Sequence, residues 1–187
     1  MNVSDISNHP LPYIDRLERR EPEVIDLVVV HCTELPDLET AREYGKRVMY
    51  PETATGNSGH FYIERSGRIE QWVPVERVAH HVRGHNEHSI GIELVNRGRH
   101  PDWFHSRQQA MSEPYPLAQL NSLIGLVLLL KRELPGLKRI SGHENLDRSL
   151  VPATDDPKLL VYRKKDPGPL FPWKELLPVV GLEMFTG

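Results

Sequence analysis

The stretch Asp26–Cys32, DLVVVHC, decides how the rest of the chain is read. Leu27 to Val30 is an unbroken apolar run dominated by β-branched valines, too short for an amphipathic helix. Such a run is the mark of a strand buried on both faces, as in a parallel sheet covered by helices. It delivers His31 at its C-terminal end, where ligands gather in open α/β sheets. Position alone leaves two readings of His31 open: a half-buried histidine bonded to a backbone carbonyl, or a functional group. Side chains alternate along a strand, so Cys32 turns to the opposite face and reads as a small buried residue.

On either side of this strand the pattern alternates. Leu38–Met49 has helical character, with Asp37 as its N-cap. Residues 51–59, PETATGNSG, read as a loop. HFYIERSGRIEQWVP gives two strands around a Ser66-Gly67 turn. SIGIELVN, residues 89–96, is a further strand with Ile90, Ile92 and Leu94 on one face, so that Gly91, Glu93 and Val95 share the other. Residues 97–116 are loop-like. Leu117–Leu134 is the longest helix, opened by Pro116 and closed by Pro135-Gly136. KRISGHENLD is a short strand running into a turn, residues 146–165 are long and irregular, and a short helix is expected around 174–177. This succession predicts an α/β fold: a single domain with a central mixed β-sheet flanked by helices. Residues 1–23, polar and punctuated by proline, read as an N-terminal arm on a domain spanning 24–180.

With 187 residues the chain can bury one sizeable core. Its 23 basic and 26 acidic residues give a formal charge of −3 with no basic stripe, which argues against a nucleic-acid partner. A single cysteine excludes an internal disulfide and suits a reducing compartment. The most apolar window, LIGLVLLL, is too short to span a bilayer, and the first residues carry no apolar signal segment.

Ten histidines are many for this length, and four lie in HHVRGHNEH: His80, His81, His85 and His88. Their spacing matches no compact ligand motif, so they read as surface or ligand-contacting side chains of a loop. His143, in SGHENLD, sits at a strand-to-turn edge like His31. Asp166, in YRKKDPGPLFPW, is fixed by two prolines directly after a run of basic residues. Two imidazoles and a carboxylate are a set that zinc accepts while keeping a position for water. The three residues are far apart in sequence, so spacing alone does not assemble them.

Five blocks in order, VVVHC, GHFYIERSGRI, SIGIELVN, SGHENLD and RKKDPGPLFPW, resemble the type 2 N-acetylmuramoyl-L-alanine amidases, a superfamily that includes AmpD-type enzymes, phage lysozyme-type amidases and peptidoglycan recognition proteins. The resemblance covers about Asp26 to Trp173. It implies one zinc ion per chain held at the strand ends by His31, His143 and Asp166. It further implies Glu93 as general acid–base and Lys164 as oxyanion partner, with His81 and Asn86 contacting substrate. The implied activity is hydrolysis of the amide between the lactyl group of N-acetylmuramic acid and L-alanine, on peptidoglycan or a muropeptide. The alternative is a peptidoglycan-binding module of the same fold that does not cut, although such a relative would be expected to lose a ligand.

Two departures from the family pattern stand out. RSLVPATDDPKLLVY lengthens the interval between His143 and Asp166, and a long loop so close to a metal is expected to shape the substrate groove. Gly59 stands where phage-type relatives carry a tyrosine, which favours the glutamate-based form of the site. The lack of an export signal reads as a cytoplasmic location, while a phage-type lysin or signal-less export would reach the wall equally well.

Overall fold

The computed structural model describes residues 6–187. Its centre is a seven-stranded sheet built from β1 (Ile6–Asn8), β2 (Leu27–Cys32), β3 (Phe61–Ile63), β4 (Ile69–Gln71), β5 (Ser89–Leu94), β6 (Arg139–Gly142) and β9 (Glu183–Met184). The strand order is β1-β4-β3-β5-β2-β6-β9. Only the β3–β4 hairpin is antiparallel, so the sheet is mixed, as the sequence predicts. All six residues of β2 are buried, which is what the DLVVVHC run demands of a central strand.

Side-chain alternation divides the sheet into two faces. Val28, Val30 and Cys32 of β2, with Ile90, Ile92 and Leu94 of β5, join Ile140 in the main apolar cluster. This cluster packs under α2 (Leu117–Glu133) and α4 (Trp173–Val180). Gln119 is wholly buried there, and its amide donates to the carbonyls of Ile63 and Val95. A buried amide bonded twice is a specific fastener, because a slipped helix would leave those groups unpaired. On the other face, Leu38 and Ala41 of α1 (Leu38–Gly45) pack with Tyr62 and Trp72. Beside them, Leu27 and Val29 meet Val82 of the histidine-rich segment.

Helix α1 starts where expected, Asp37 accepting a hydrogen bond from the Thr40 amide, but stops at Gly45 rather than Met49. The Tyr13 hydroxyl donates to the Gly45 carbonyl. A Cβ on Gly45 would lie 3.1 Å from the Trp72 ring, so this end of the helix is seated by tertiary contacts the local pattern does not carry.

The segment expected to be irregular contains a second, two-stranded sheet, β7 (Leu150–Pro152) and β8 (Leu160–Tyr162). It follows the short helix α3 (His143–Leu146). Its base is closed by Arg163, whose amide donates to the Ser149 carbonyl and whose guanidinium pairs with Asp147. Its tip is tied down by the Thr154 amide on the Phe104 carbonyl and by Asp155 accepting from Ser106. Among the described residues no helix is long and apolar enough to cross a membrane.

Candidate metal centre

The C-terminal ends of β2 and β6 and the chain after β8 meet at one end of the sheet. His31 is the fifth residue of β2, and His143 begins α3 directly after β6. Asp166 follows β8, its carbonyl accepting from the Glu144 amide. The His31 and His143 Nδ1 atoms lie 3.0 Å apart, and Asp166 Oδ2 is 2.9 Å from the first and 3.2 Å from the second. All three side chains are buried. These separations approach roughly 3.3 Å, the edge of a tetrahedron with zinc bonds of about 2.0–2.1 Å. His143 Nε2 and Asp166 Oδ1 find no hydrogen-bond partner among the described residues. The donor set, its packing and its unspent polar atoms therefore fit a small divalent cation.

The electrostatics favour the ligand forms. Burial, above all, holds the His31 imidazole down to about 4, so it is neutral at ordinary pH as a metal ligand must be. Burial alone would raise the Asp166 carboxyl. The His143 ring, which lies within hydrogen-bond distance, and the Lys164 charge outweigh it and keep Asp166 ionised well below the usual carboxylate range.

Glu93 stands beside this group because β2 and β5 are parallel in a register that puts it opposite His31. Its Oε1 is 3.9 Å from His31 Nδ1, and 15% of the side chain remains accessible. Burial, then the Asp166 charge, push its carboxyl up to about 8, with Lys164 opposing. A Cβ added to Gly59 would come within 2.9 Å of Glu93 Cγ, so the glycine there leaves the glutamate its room.

Lys164 and Asp166, in the segment after β8, both line one cavity. Lys165, between them, turns away and donates to the Gln109 carbonyl at 2.7 Å. The backbone of this segment is held along its length. Arg99 donates to the Tyr162 carbonyl at 2.8 Å and to the Arg163 carbonyl at 3.3 Å, and Tyr115 donates to the Pro167 carbonyl at 2.7 Å. Arg99 is itself buried against Glu34 in a two-pronged ion pair, both contacts at 2.7 Å. Glu34 adopts φ +49°, a left-handed conformation rare for a residue with a side chain and fixed here by that pair. No local sequence signal marks Glu34 or Arg99, since their partnership exists only in the folded chain.

The candidate ligands, Glu93 and Lys164 all open on a cavity of about 740 Å³, walled further by Tyr50, Arg83, Trp103 and Phe104. His81 and Asn86 line it too. The Asn86 side-chain oxygen accepts from the backbone amides of His81 and Val82, at 3.0 and 2.8 Å, so it shapes the loop. His85 and His88 stand apart from the cluster: their Nδ1 and Nε2 atoms are 3.3 Å apart, and His88 Nδ1 pairs with Asp26 at 2.7 Å.

Similarity to known proteins points to one family. The profile of the N-acetylmuramoyl-L-alanine amidase family matches residues 20–169. The chain is 37% identical over 117 residues to the N-acetylmuramoyl-L-alanine amidase AmiD of Escherichia coli, a match covering 58% of this chain and 37% of that protein. It is 29% identical over 200 residues to the 1,6-anhydro-N-acetylmuramyl-L-alanine amidase AmpD of Haemophilus influenzae, covering 95% and 94% of the two chains. The structure of E. coli AmiD in complex with the substrate anhydro-N-acetylmuramic acid-L-Ala-D-γ-Glu-L-Lys shares the fold. Its TM-score is 0.63 at 24% identity, over 86% of this chain and 58% of that one.

Proposed function

The chain belongs to the N-acetylmuramoyl-L-alanine amidase family, and we propose that it is a zinc-dependent amidase cleaving the bond between the lactyl group of N-acetylmuramic acid and L-alanine. The observation that carries this reading is the convergence of the His31 and His143 Nδ1 atoms and the Asp166 carboxylate in one buried cluster, with Glu93 3.9 Å from His31. Peptidoglycan or its muropeptide fragments are the substrate class, a choice supported by the muropeptide bound to AmiD.

His31, His143 and Asp166 would hold the metal. Bound zinc supplies Lewis acidity, polarising an amide carbonyl and making water acidic enough to attack near neutral pH. Glu93 accepts the proton from the attacking water and returns it to the alanyl nitrogen as the C–N bond breaks. The Glu93 carboxyl, pushed up by burial and by Asp166, would be drawn toward its ionised form by a cation held beside it. Lys164, which lines the same cavity as Asp166, faces the negative charge that develops on the carbonyl oxygen. His81 and Asn86 border the groove in which the muramyl-peptide lies.

The decisive experiment measures zinc content and muropeptide turnover together, with and without a chelator, on the wild-type chain and on His143→Ala. About one zinc per chain with chelator-sensitive turnover, both lost in His143→Ala, is the expected result. Muropeptide binding without turnover in the zinc-loaded protein would instead make the chain a peptidoglycan-binding module, and full zinc occupancy in His143→Ala would remove it from the ligand set.

A further inference from the structure

His81 borders the groove, but its ring is committed elsewhere. Its Nδ1 lies 3.0 Å from His31 Nε2, and its Nε2 lies 3.2 Å from the Ser89 hydroxyl. Ser89 is wholly buried, and its Oγ is 2.7 Å from the carbonyl of His85. The ring stands edge-on to His31, centroids 5.1 Å apart. It lies against β5 where that strand has no side chain: a Cβ on Gly91 would come within 2.6–2.9 Å of three His81 ring atoms.

These contacts fix where the protons are. A carbonyl can only accept, so the single hydroxyl proton of Ser89 goes to His85, the nearer of its two partners. The Ser89 oxygen then accepts from His81 Nε2–H. A neutral imidazole carries one proton, so His81 Nδ1 is a bare lone pair, and it accepts from His31 Nε2–H. His31 is thereby left with an unprotonated Nδ1, the atom facing His143 and Asp166.

We propose that Ser89 and His81 are positioning residues that hold His31 in its metal-binding tautomer, a chain of hydrogen bonds running from the His85 carbonyl to the metal centre. The proposal rests on the zinc reading above and assigns His81 a role behind the ligand in addition to its place on the groove. Partners of this kind hold a ligating histidine's ring orientation and raise its basicity, and their loss typically costs 10–100-fold in metal affinity. Gly91 belongs to the same device, since any larger residue would evict the ring.

The test compares wild type, Ser89→Ala, His81→Leu and His81→Asn. Zinc dissociation constants come from competition with a chromophoric chelator, and 15N NMR of the histidine side chains reads the tautomers directly. The expected result is a loss of about 10–100-fold in zinc affinity for His81→Leu. Ser89→Ala should shift it in the same direction by less. His81→Asn should recover a large part of the loss, because its carboxamide oxygen falls near the position of Nδ1. In the wild type, His81 should be protonated on Nε2, and a coupling through the hydrogen bond should join His31 Nε2 to His81 Nδ1. Wild-type zinc affinity in His81→Leu, or His81 protonated on Nδ1, would overturn the proposal. If His81→Leu fails to fold, the wild-type spectrum and Ser89→Ala still decide. If the wild-type chain binds no zinc, the metal reading falls, while the spectrum judges the hydrogen-bond chain separately.

Discussion

Replacing Arg99 by methionine tests whether the Glu34–Arg99 pair sets the site's geometry. Arg99 has 3% and Glu34 7% of its surface exposed, so the substitution strands a buried carboxylate without its partner. Breaking a buried pair from one side costs about 3–5 kcal/mol. For a chain of this size each kcal/mol lowers the melting temperature by about 2–4 °C, so Arg99→Met should melt roughly 6–20 °C below the parent. The double variant Glu34→Met/Arg99→Met removes both charges and should regain much of this, since apolar replacement of a buried pair is often close to neutral. It should not regain all of it. The carbonyls of Tyr162 and Arg163 still lose their donor, which costs about 1 kcal/mol or more where they are shielded from water. Urea unfolding of the four members of the cycle, with zinc affinity measured on each, isolates the coupling. Both variants should hold zinc more weakly than the parent, because Asp166 lies three residues beyond the clamped Arg163 carbonyl. A loss below about 1 kcal/mol in Arg99→Met, judged against the cost expected for a buried pair, would refute this reasoning, as would zinc affinity equal to the parent's.

Glu93→Ala should keep its zinc and fold while turnover falls by about 10²–10⁴, the usual worth of a general acid–base group; steady-state muropeptide cleavage with zinc measured on the same sample checks it, and a zinc-loaded variant within a fewfold of wild type would remove Glu93 from the mechanism. Lys164→Ala should lower kcat more than it raises KM, since charge on the carbonyl oxygen develops only along the reaction path; a pure KM effect would make Lys164 a substrate anchor. Gly59→Ala should reduce turnover with zinc retained, because the new Cβ meets Glu93 Cγ at 2.9 Å; unchanged kinetics would show that Glu93 has slack the packing does not suggest.

The parts of this fold legible in the sequence are those governed by short-range periodicity. The valine run of β2, the alternation of β5 that separates Glu93 from Ile92 and Leu94, and the proline-bracketed α2 all form as their local patterns require. What the sequence hides is contact at a distance. The hairpin of β7 and β8 lies in a segment rich in proline and aspartate, and its strands are only three residues each, too short for periodicity to register. The outer strands β1 and β9 form by pairing with β4 and β6, far away in the chain. At the site, the candidate ligands are brought together by β2, β6 and the chain after β8, and without the family resemblance their spacing names no group. His81 shows the limit most plainly, because its ring is seated by a serine and a glycine of β5, contacts that no local pattern announces.

The hairpin between His143 and Asp166 has a consequence for how such a site can diversify. Its two ends are joined at the base by Arg163, Asp147 and Ser149, so the excursion leaves and rejoins the candidate metal centre at a single closed neck. Doubling a loop already closed in this way costs only about 0.6 kcal/mol of additional closure entropy. Length and composition beyond the neck are therefore nearly decoupled from the distance between the candidate ligands His143 and Asp166. The hairpin's tip rests on the segment carrying Phe104, one of the cavity walls, so changes there reshape the groove at little risk to the chemistry. The candidate centre and this wall of the groove thus lie on opposite sides of one joint, where each can change without the other.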